Sequence, residues 1–264
     1  MRNITLIILF FQLCIVHSQT IETKLVDRVL LKADDFIGID AFENYYYTIG
    51  TTFYKKTKSK VYSYTNTQLG TISSIDITNS LKIVLFYSDF NTIVLLDNRL
   101  NELSNNINLS TESFAKNVTF ASISSNNNLW LYSLDDNILS LWNYETKQTV
   151  FDTQPLSYYQ KKFEASIQVS TYEYCWLISK DHVLKFNEYG SFIDSFIENG
   201  IERIVPYNQG ILYLKDDIIY FASASLKEPL TDNKKHKLDN FFVAKDNLFF
   251  FDTNVLYKYS LFKK

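Results

Sequence analysis

The stretch "LWLYSLDDNILSLWNYETK", Leu129 to Lys147, contains two apolar runs on either side of an acidic break. The runs cover Leu129–Leu134 and Ile138–Tyr144, and each has the length of a typical β-strand. Asp and Asn in the break favour a turn, because their side chains hydrogen bond to nearby backbone amides and tolerate unusual backbone dihedrals. The stretch therefore predicts an antiparallel β-hairpin.

The same hairpin pattern recurs along the chain. Further copies begin at Tyr45, Ile83, Cys175, Ile211 and Leu248. A shorter strand candidate precedes each copy, and these candidates begin at Phe36, Ile72, Val118, Ala165, Ile201 and Leu238. A weaker, more polar segment follows most of the hairpins. Four strands in a unit of about forty residues is the pattern of a propeller blade. The sequence thus predicts an all-β fold, a six-bladed β-propeller of four-stranded antiparallel blades.

The two ends of the chain predict how the ring closes. The sixth unit reaches Lys264 before it supplies an outer strand, whereas Lys24–Leu31 near the N-terminus forms a spare strand before the first inner strand. We expect this N-terminal strand to pair with the last blade and so close the ring. Closure of this kind leaves no open sheet edge on which other chains could aggregate.

The first 18 residues have the layout of a secretory signal peptide. A single positive charge, Arg2, precedes the apolar stretch Ile4–Val16. This stretch is shorter than the roughly 20 residues that a membrane span requires, and no later apolar run is long enough for one. We expect residues 19–264 to form one monomeric propeller domain in the periplasm or extracellular space. Cys175, its only cysteine, is predicted to be a small buried hydrophobic residue.

Two segments resemble a known repeat family. The segment "VLKFNEYGSFIDSF", Val183 to Phe196, resembles an NHL-type repeat, in which a hydrophobic strand is followed by an Asp/Asn-x-x-Gly turn and a short outer strand. The segment "IVLLDNRLNEL", Ile93 to Leu103, is a looser match that lacks the glycine. The resemblance implies the six-bladed superfold, which hosts lactonases, sialidases, receptor modules and scaffolds alike.

Composition and motifs argue against several functional classes. The formal net charge is −3, whereas nucleic-acid-binding domains are normally basic. His182 and His236 belong to no cluster with metal-ligand spacing. The three arginines after the signal peptide are scattered, which argues against a sialidase-like carboxylate site. The chain contains neither a nucleophile elbow nor a glycine-rich phosphate loop.

Acidic residues offer an alternative metal site. The pairs Asp34-Asp35, Asp135-Asp136 and Asp216-Asp217 are the acidic candidates, and turn chemistry alone explains the last two pairs. Asp40 and Asp76 occupy matching positions in the first two inner strands, "GIDAF" and "SIDIT". Propeller lactonases hold calcium in the central tunnel, and carboxylates are calcium ligands. We predict no cofactor, with calcium held by Asp40 and Asp76 as the alternative.

Basic and aromatic residues mark candidate binding loops. "KKTKSK" is predicted to lie in the turn between the second and third strands of blade one, and "NKKHK" in the crossover to blade six. Both would then lie on one face and form a basic sector for an acidic glycan, phospholipid headgroups or an acidic protein, unless they are merely solvated loops. These lysines are Lys55, Lys56, Lys58, Lys60, Lys234, Lys235 and Lys237. Tyr158 and Tyr159, in the long crossover between blades three and four, are predicted to be exposed binding residues.

Two functions remain open. The first is an exported, noncatalytic binding or scaffold module that contacts a protein or an envelope glycan through loops on one face. The second is a calcium-dependent hydrolase or lactonase with its site in the central tunnel. They differ in whether acidic and histidine side chains from several inner strands converge on the axis, and only Asp40 and Asp76 occupy matching positions in the inner strands.

Overall fold

The computed structural model describes residues 21–112, 114, 116–208, 210–223, 226–230, 240–245 and 247–263. The predicted signal peptide, residues 1–18, lies outside this part of the chain. The described residues form six four-stranded antiparallel sheets and two short 3₁₀ turns, Ser88–Phe90 and Leu156–Tyr158. None of these residues belongs to a helix long and apolar enough to span a membrane.

The six sheets are the blades of a propeller, which confirms the predicted fold class. From the innermost strand outwards, blade one consists of β2 (Asp35–Ile39), β3 (Tyr45–Ile49), β4 (Thr52–Lys56) and β5 (Val61–Tyr64). Blade two consists of β6 (Ser74–Asp76), β7 (Ile83–Tyr87), β8 (Thr92–Leu96) and β9 (Ile107–Asn108). Blade three consists of β10 (Phe120–Ile123), β11 (Asn128–Ser133), β12 (Ile138–Asn143) and β13 (Gln148–Asp152). Blade four consists of β14 (Ile167–Ser170), β15 (Tyr174–Ile178), β16 (His182–Asn187) and β17 (Phe192–Ile197). Blade five consists of β18 (Arg203–Tyr207), β19 (Gly210–Lys215), β20 (Ile218–Ser223) and β21 (Leu226–Pro229). Blade six consists of β22 (Asn240–Ala244), β23 (Asn247–Asp252), β24 (Val255–Lys263) and β1 (Ile21–Leu30).

Antiparallel pairing within the blades distributes the connections between two faces of the disc. The crossovers between blades and the turns between second and third strands emerge on one face, which we call the crossover face. The turns between first and second strands, and between third and fourth strands, emerge on the other, which we call the hairpin face. Every inner strand therefore begins at the crossover face and ends at the hairpin face.

The middle strands are apolar on both sides because each blade lies between two others. In β11, Leu129 and Leu131 belong to a hydrophobic cluster shared with blade two. Trp130 and Tyr132 on the same strand belong to a cluster shared with blade four. All four side chains are fully buried. Two-sided burial explains why these strands are continuous apolar runs and do not alternate between apolar and polar residues.

The ring is closed by the N-terminal strand, as predicted. β1 pairs antiparallel with β24 from Ile21 opposite Lys263 to Leu30 opposite Val255, with one bulge between Leu25 and Asp27. The backbone amide of Leu31 then donates a hydrogen bond to the Asn254 carbonyl at 2.8 Å. Blade six is thus assembled from both ends of the described chain.

The prediction that "KKTKSK" forms the turn between the second and third strands of blade one is wrong. β3 and β4 are joined by the two residues Gly50 and Thr51, with Ile49 opposite Thr52. Gly50 has a φ of 57° and so adopts the left-handed conformation that a tight turn requires. Lys55 and Lys56 consequently belong to β4, and Lys58 and Lys60 lie in the turn between β4 and β5. That turn emerges on the hairpin face and not on the crossover face.

The resemblance to NHL-type repeats corresponds to a shared turn geometry. Asn187 Oδ1 accepts hydrogen bonds from the amides of Tyr189 at 3.1 Å and Ser191 at 3.0 Å, and Gly190 has a φ of 80°. In blade two, Asp97 Oδ1 accepts the same kind of bonds from the amides of Arg99 and Asn101. Leu100 takes the left-handed position there with a φ of 63°. Its side chain is buried, so packing offsets the backbone cost that glycine would avoid.

A buried glutamate with two partly exposed lysines fixes the connection between blades four and five. Glu198, only 4% exposed, accepts hydrogen bonds from Tyr213 Oη at 2.8 Å and Lys215 Nζ at 2.7 Å, and pairs with Lys227. Burial alone would raise the pKa of Glu198. The bonds from the two lysines and the tyrosine outweigh it and lower that pKa to about 2.

This cluster makes stability depend on pH below neutrality. A carboxylate whose pKa is lowered by folding contributes stability that is complete above its unfolded pKa, and the ordinary pKa of a glutamate is 4.5. The contribution is lost as the pH falls from there to about 2. We expect Glu198→Gln to lower the free energy of unfolding by about 2 kcal/mol at neutral pH, as measured by urea denaturation, and by progressively less down to pH 2. Glu145→Gln, in an exposed turn, is the matched control. Parallel pH profiles for wild type and Glu198→Gln would contradict this role.

Candidate functional site

The six inner strands surround a central channel with a volume of about 700 Å³. Polar residues from blades two to four line one side: Ser74, Asp76, Thr78, Ser122, Gln168 and Ser170. Blades one, five and six contribute apolar residues to the other side, Ile37, Val205, Phe242 and Val243, together with the charged residues Asp35, Asp40, Arg203 and Lys245. The volume is within the range of ordinary small-molecule sites, which are mostly apolar with a few placed polar groups.

The polar side of the channel is organised by hydrogen bonds between neighbouring blades. Asp76 Oδ2 accepts a bond from the Ile123 amide of blade three at 2.8 Å. Gln168 Nε2 donates to Ser122 Oγ at 2.7 Å, and Ser170 Oγ donates to the Ile123 carbonyl at 2.7 Å. These bonds connect the inner strands of blades two, three and four and so fix the orientation of the side chains along this wall.

Asp40 is held in the turn that follows the first inner strand. Its carboxylate accepts hydrogen bonds from the amides of Phe42 and Asn44, from Asn44 Nδ2 and from Tyr46 Oη, all between 2.8 and 3.0 Å. Lys55 Nζ lies 3.7 Å from Asp40 Oδ2. Burial opposes ionisation, but the hydrogen bonds prevail and lower the pKa of Asp40. The partners of this carboxylate give Asp40 a structural role.

Asp76 is in a different environment from Asp40, although the sequence predicted matching positions for the two residues. Oδ1 accepts a hydrogen bond from the Thr78 amide at 2.8 Å, and Oδ2 accepts the one from Ile123. Burial raises the pKa of Asp76. Among the described residues no group of three or more His, Cys, Asp or Glu side chains is arranged to hold a metal ion. Calcium held by Asp40 and Asp76 therefore stays a prediction.

The lysines of "KKTKSK" differ in burial and do not lie in the turn for which they were predicted. Lys55 is 4% exposed, and its Nζ donates a hydrogen bond to the Asn98 carbonyl at 3.0 Å. Lys56 is half-buried, whereas Lys58 and Lys60 are exposed on the hairpin face. Lys234, Lys235 and Lys237 lie outside the described residues. The prediction that "KKTKSK" lies on the crossover face is therefore wrong, because the turn of blade one is displaced by several residues. That these lysines bind a partner stays a prediction.

The two predicted tyrosines have different environments. Tyr158 is 78% exposed at the crossover face. Tyr159 stacks on Phe192 with ring centroids 4.9 Å apart and meets the buried Phe186 edge-on at 5.5 Å. Tyr159 is thus part of the packing between blades three and four, and Tyr158 is the tyrosine that a partner could contact.

Three exposed residues that the sequence reasoning missed surround the channel mouth on the hairpin face. Phe42, Leu81 and Tyr172 lie in the turns between first and second strands of blades one, two and four and are 72%, 64% and 42% exposed. Their sequence neighbours Ala41, Ser80 and Thr171 line the channel. We call Phe42, Leu81 and Tyr172 the mouth residues. The signal in the sequence is a single large apolar side chain in an otherwise polar turn.

No known protein family and no curated protein matches the sequence. Among solved structures, a chain of the mitotic checkpoint complex is similar, with a TM-score of 0.60, 9% identity and 98% coverage of both chains. Virginiamycin B lyase from Staphylococcus aureus has a TM-score of 0.59 and 12% identity, over 91% of this chain and 100% of the lyase. A catalytically inactive variant of that lyase with quinupristin has a TM-score of 0.57 and 14% identity, over 85% of this chain and 79% of the other. At these identities the likeness is one of fold.

The burial of Lys55 predicts that two lysines of one basic run differ in their effect on stability. Lys55→Met removes the cation beside the buried Asp40, so we expect the free energy of unfolding to fall by about 3 kcal/mol. Lys58→Met, three residues away and exposed, should change it by less than about 0.5 kcal/mol. Urea denaturation of both variants measures the difference. Equal effects would show that Lys55 is solvated.

Proposed function

We propose that this protein is a noncatalytic binding module that contacts a protein partner through the hairpin face around the channel mouth. The observation that carries the proposal is the exposure of the mouth residues. Single exposed apolar side chains are common on protein surfaces. Here, however, turns of three blades present such side chains around one opening, an arrangement that favours an interaction site.

The chemistry of the mouth residues suits a protein partner. Phe42 and Tyr172 are aromatic, and aromatic side chains are enriched among the residues that dominate interface affinity. The turns that carry them are short and end the inner strands, so the side chains are held on rigid elements and lose little conformational freedom on binding. Glu43, beside Phe42, pairs with Lys258, and the charges of Lys258, Lys58 and Lys245 lower its pKa. These charged groups form a polar rim beside the apolar residue.

The fold and the predicted signal peptide support the same function. The neighbour from the mitotic checkpoint complex belongs to a protein assembly, so this fold is used in assemblies. Cleavage of residues 1–18 would place the module outside the cytoplasm, where a partner in the cell envelope or the extracellular space would be accessible.

Substitution of the mouth residues tests the proposal. The triple variant Phe42→Ser, Leu81→Ser, Tyr172→Ser should nearly keep the thermal unfolding profile, because none of the three side chains is in the core. It should lower partner capture by about tenfold. The matched control is Phe90→Ser, Leu134→Ser, Tyr158→Ser, which removes exposed apolar side chains from the crossover face. Capture is measured by quantitative mass spectrometry of proteins retained from the native envelope and culture medium.

The two triple variants separate the faces. The proposal requires one set of proteins that wild type and the control variant retain and that the mouth variant loses. Equal retention by all three, or loss with the control variant alone, would contradict it.

A further inference from the structure

Asp76 is a carboxylate of the channel wall for which the described residues provide no basic partner. It ends β6 and lines the channel near the hairpin-face mouth. Each of its oxygens accepts one backbone hydrogen bond at 2.8 Å, from Thr78 and from Ile123. These bonds fix the carboxylate, and no lysine, arginine or histidine of the described chain forms a salt bridge with it. A partly buried, unpaired carboxylate is costly for a fold and is a feature of binding sites.

The other acidic residues along the channel have basic partners. Asp40 pairs with the buried Lys55. Asp35, at the crossover-face end, lies 3.8 Å from Arg203 and accepts a hydrogen bond from Asn240 Nδ2 at 3.2 Å. Lys245 also lines the channel, at the hairpin-face mouth, and forms no salt bridge among the described residues. Asp76 is therefore the acidic group of the lining whose charge the described residues leave uncompensated.

Aromatic and apolar groups accompany Asp76. Phe242 and Ile77, the residue after Asp76, both lie close to Gly38. A Cβ atom on Gly38 would come within 2.7 Å of the Phe242 ring and within 2.9 Å of Ile77 Cδ1. Phe242 and Asp76 both line the channel. A carboxylate and an aromatic ring in one channel are groups that recognise ammonium ions.

We propose that the channel binds a small organic cation, an ammonium group on an apolar body, with Asp76 as its counter-ion. The ammonium group would lie against the Asp76 carboxylate, with the Ser170 hydroxyl oxygen as a further acceptor on the same wall. The apolar body would contact Phe242, Val243 and Val205 on the opposite wall. This site is distinct from the apolar contacts of the mouth residues with a protein partner.

A metal ion fits these residues less well than an organic cation. Calcium takes six to eight oxygen ligands, whereas the described chain brings no second free carboxylate to Asp76. The nearest equivalent, Asp40, is occupied by its own turn and by Lys55. An ammonium group needs only one carboxylate and hydrogen-bond acceptors, and its apolar body gains from burial against the opposite wall.

Paired probes of equal shape test the proposal. Phenethylammonium carries the cation, and 2-phenylethanol has the same body with a neutral hydroxyl group. We expect isothermal titration of the mature protein to detect phenethylammonium at millimolar concentrations and to show 2-phenylethanol binding about tenfold more weakly. This comparison on the unmodified protein requires no variant to fold.

Variants then assign the site. Asp76→Asn keeps the shape and one acceptor oxygen, and we expect it to weaken phenethylammonium binding by about tenfold while 2-phenylethanol is unaffected. Asp89→Asn, an exposed carboxylate on the crossover face, is the matched control and should leave both affinities unchanged. Three outcomes would overturn the proposal: equal binding of the two probes, unchanged phenethylammonium binding by Asp76→Asn, or Asp76-dependent binding of calcium without binding of the amine.

Discussion

Burial of every blade on both sides is the constraint on which the rest of the structure depends. Each of the six interfaces between neighbouring blades holds a hydrophobic cluster. A blade at the end of an open row would expose one apolar side, so the row must close into a ring. Pairing of β1 with β24 achieves this and completes blade six. The closed ring in turn forms the channel and brings the turns of the inner strands together around its mouth.

Most of the fold was predictable because two-sided burial leaves a strong local pattern. Apolar runs such as Leu129–Leu134, broken by Asp-Asn turns, mark the second and third strands in five blades. Blade one departed from the pattern because Lys55 is buried beside Asp40 and Tyr46. A lysine in an apolar strand is read as a turn residue when its partners are not known. Those partners come from another turn and strand of the blade and, for the Asn98 carbonyl, from blade two, and their proximity depends on the register.

The functional features were less predictable for the same reason. Asp40 and Asp76 each follow an isoleucine at the end of an inner strand, yet Asp40 is bound by side chains of its own blade and Asp76 by an amide of the next blade. The difference between a structural carboxylate and an unpaired one therefore arises from packing between blades, which local sequence does not encode. Phe42, Leu81 and Tyr172 were missed because a single apolar residue in a turn carries no periodic signal.

The register of the closing strand pair is the most direct measure of the closed ring. Lys24 lies opposite Ser260, whereas Lys258 lies opposite Asp27. The double variant Lys24→Cys, Ser260→Cys should form a disulfide bond under mild oxidation and raise the melting temperature, because Cα atoms of opposed residues are within disulfide range. The offset pair Lys24→Cys, Lys258→Cys should stay reduced, and the buried Cys175 does not compete. A disulfide in the offset pair, or none in the opposed pair, would contradict closure of the ring by β1.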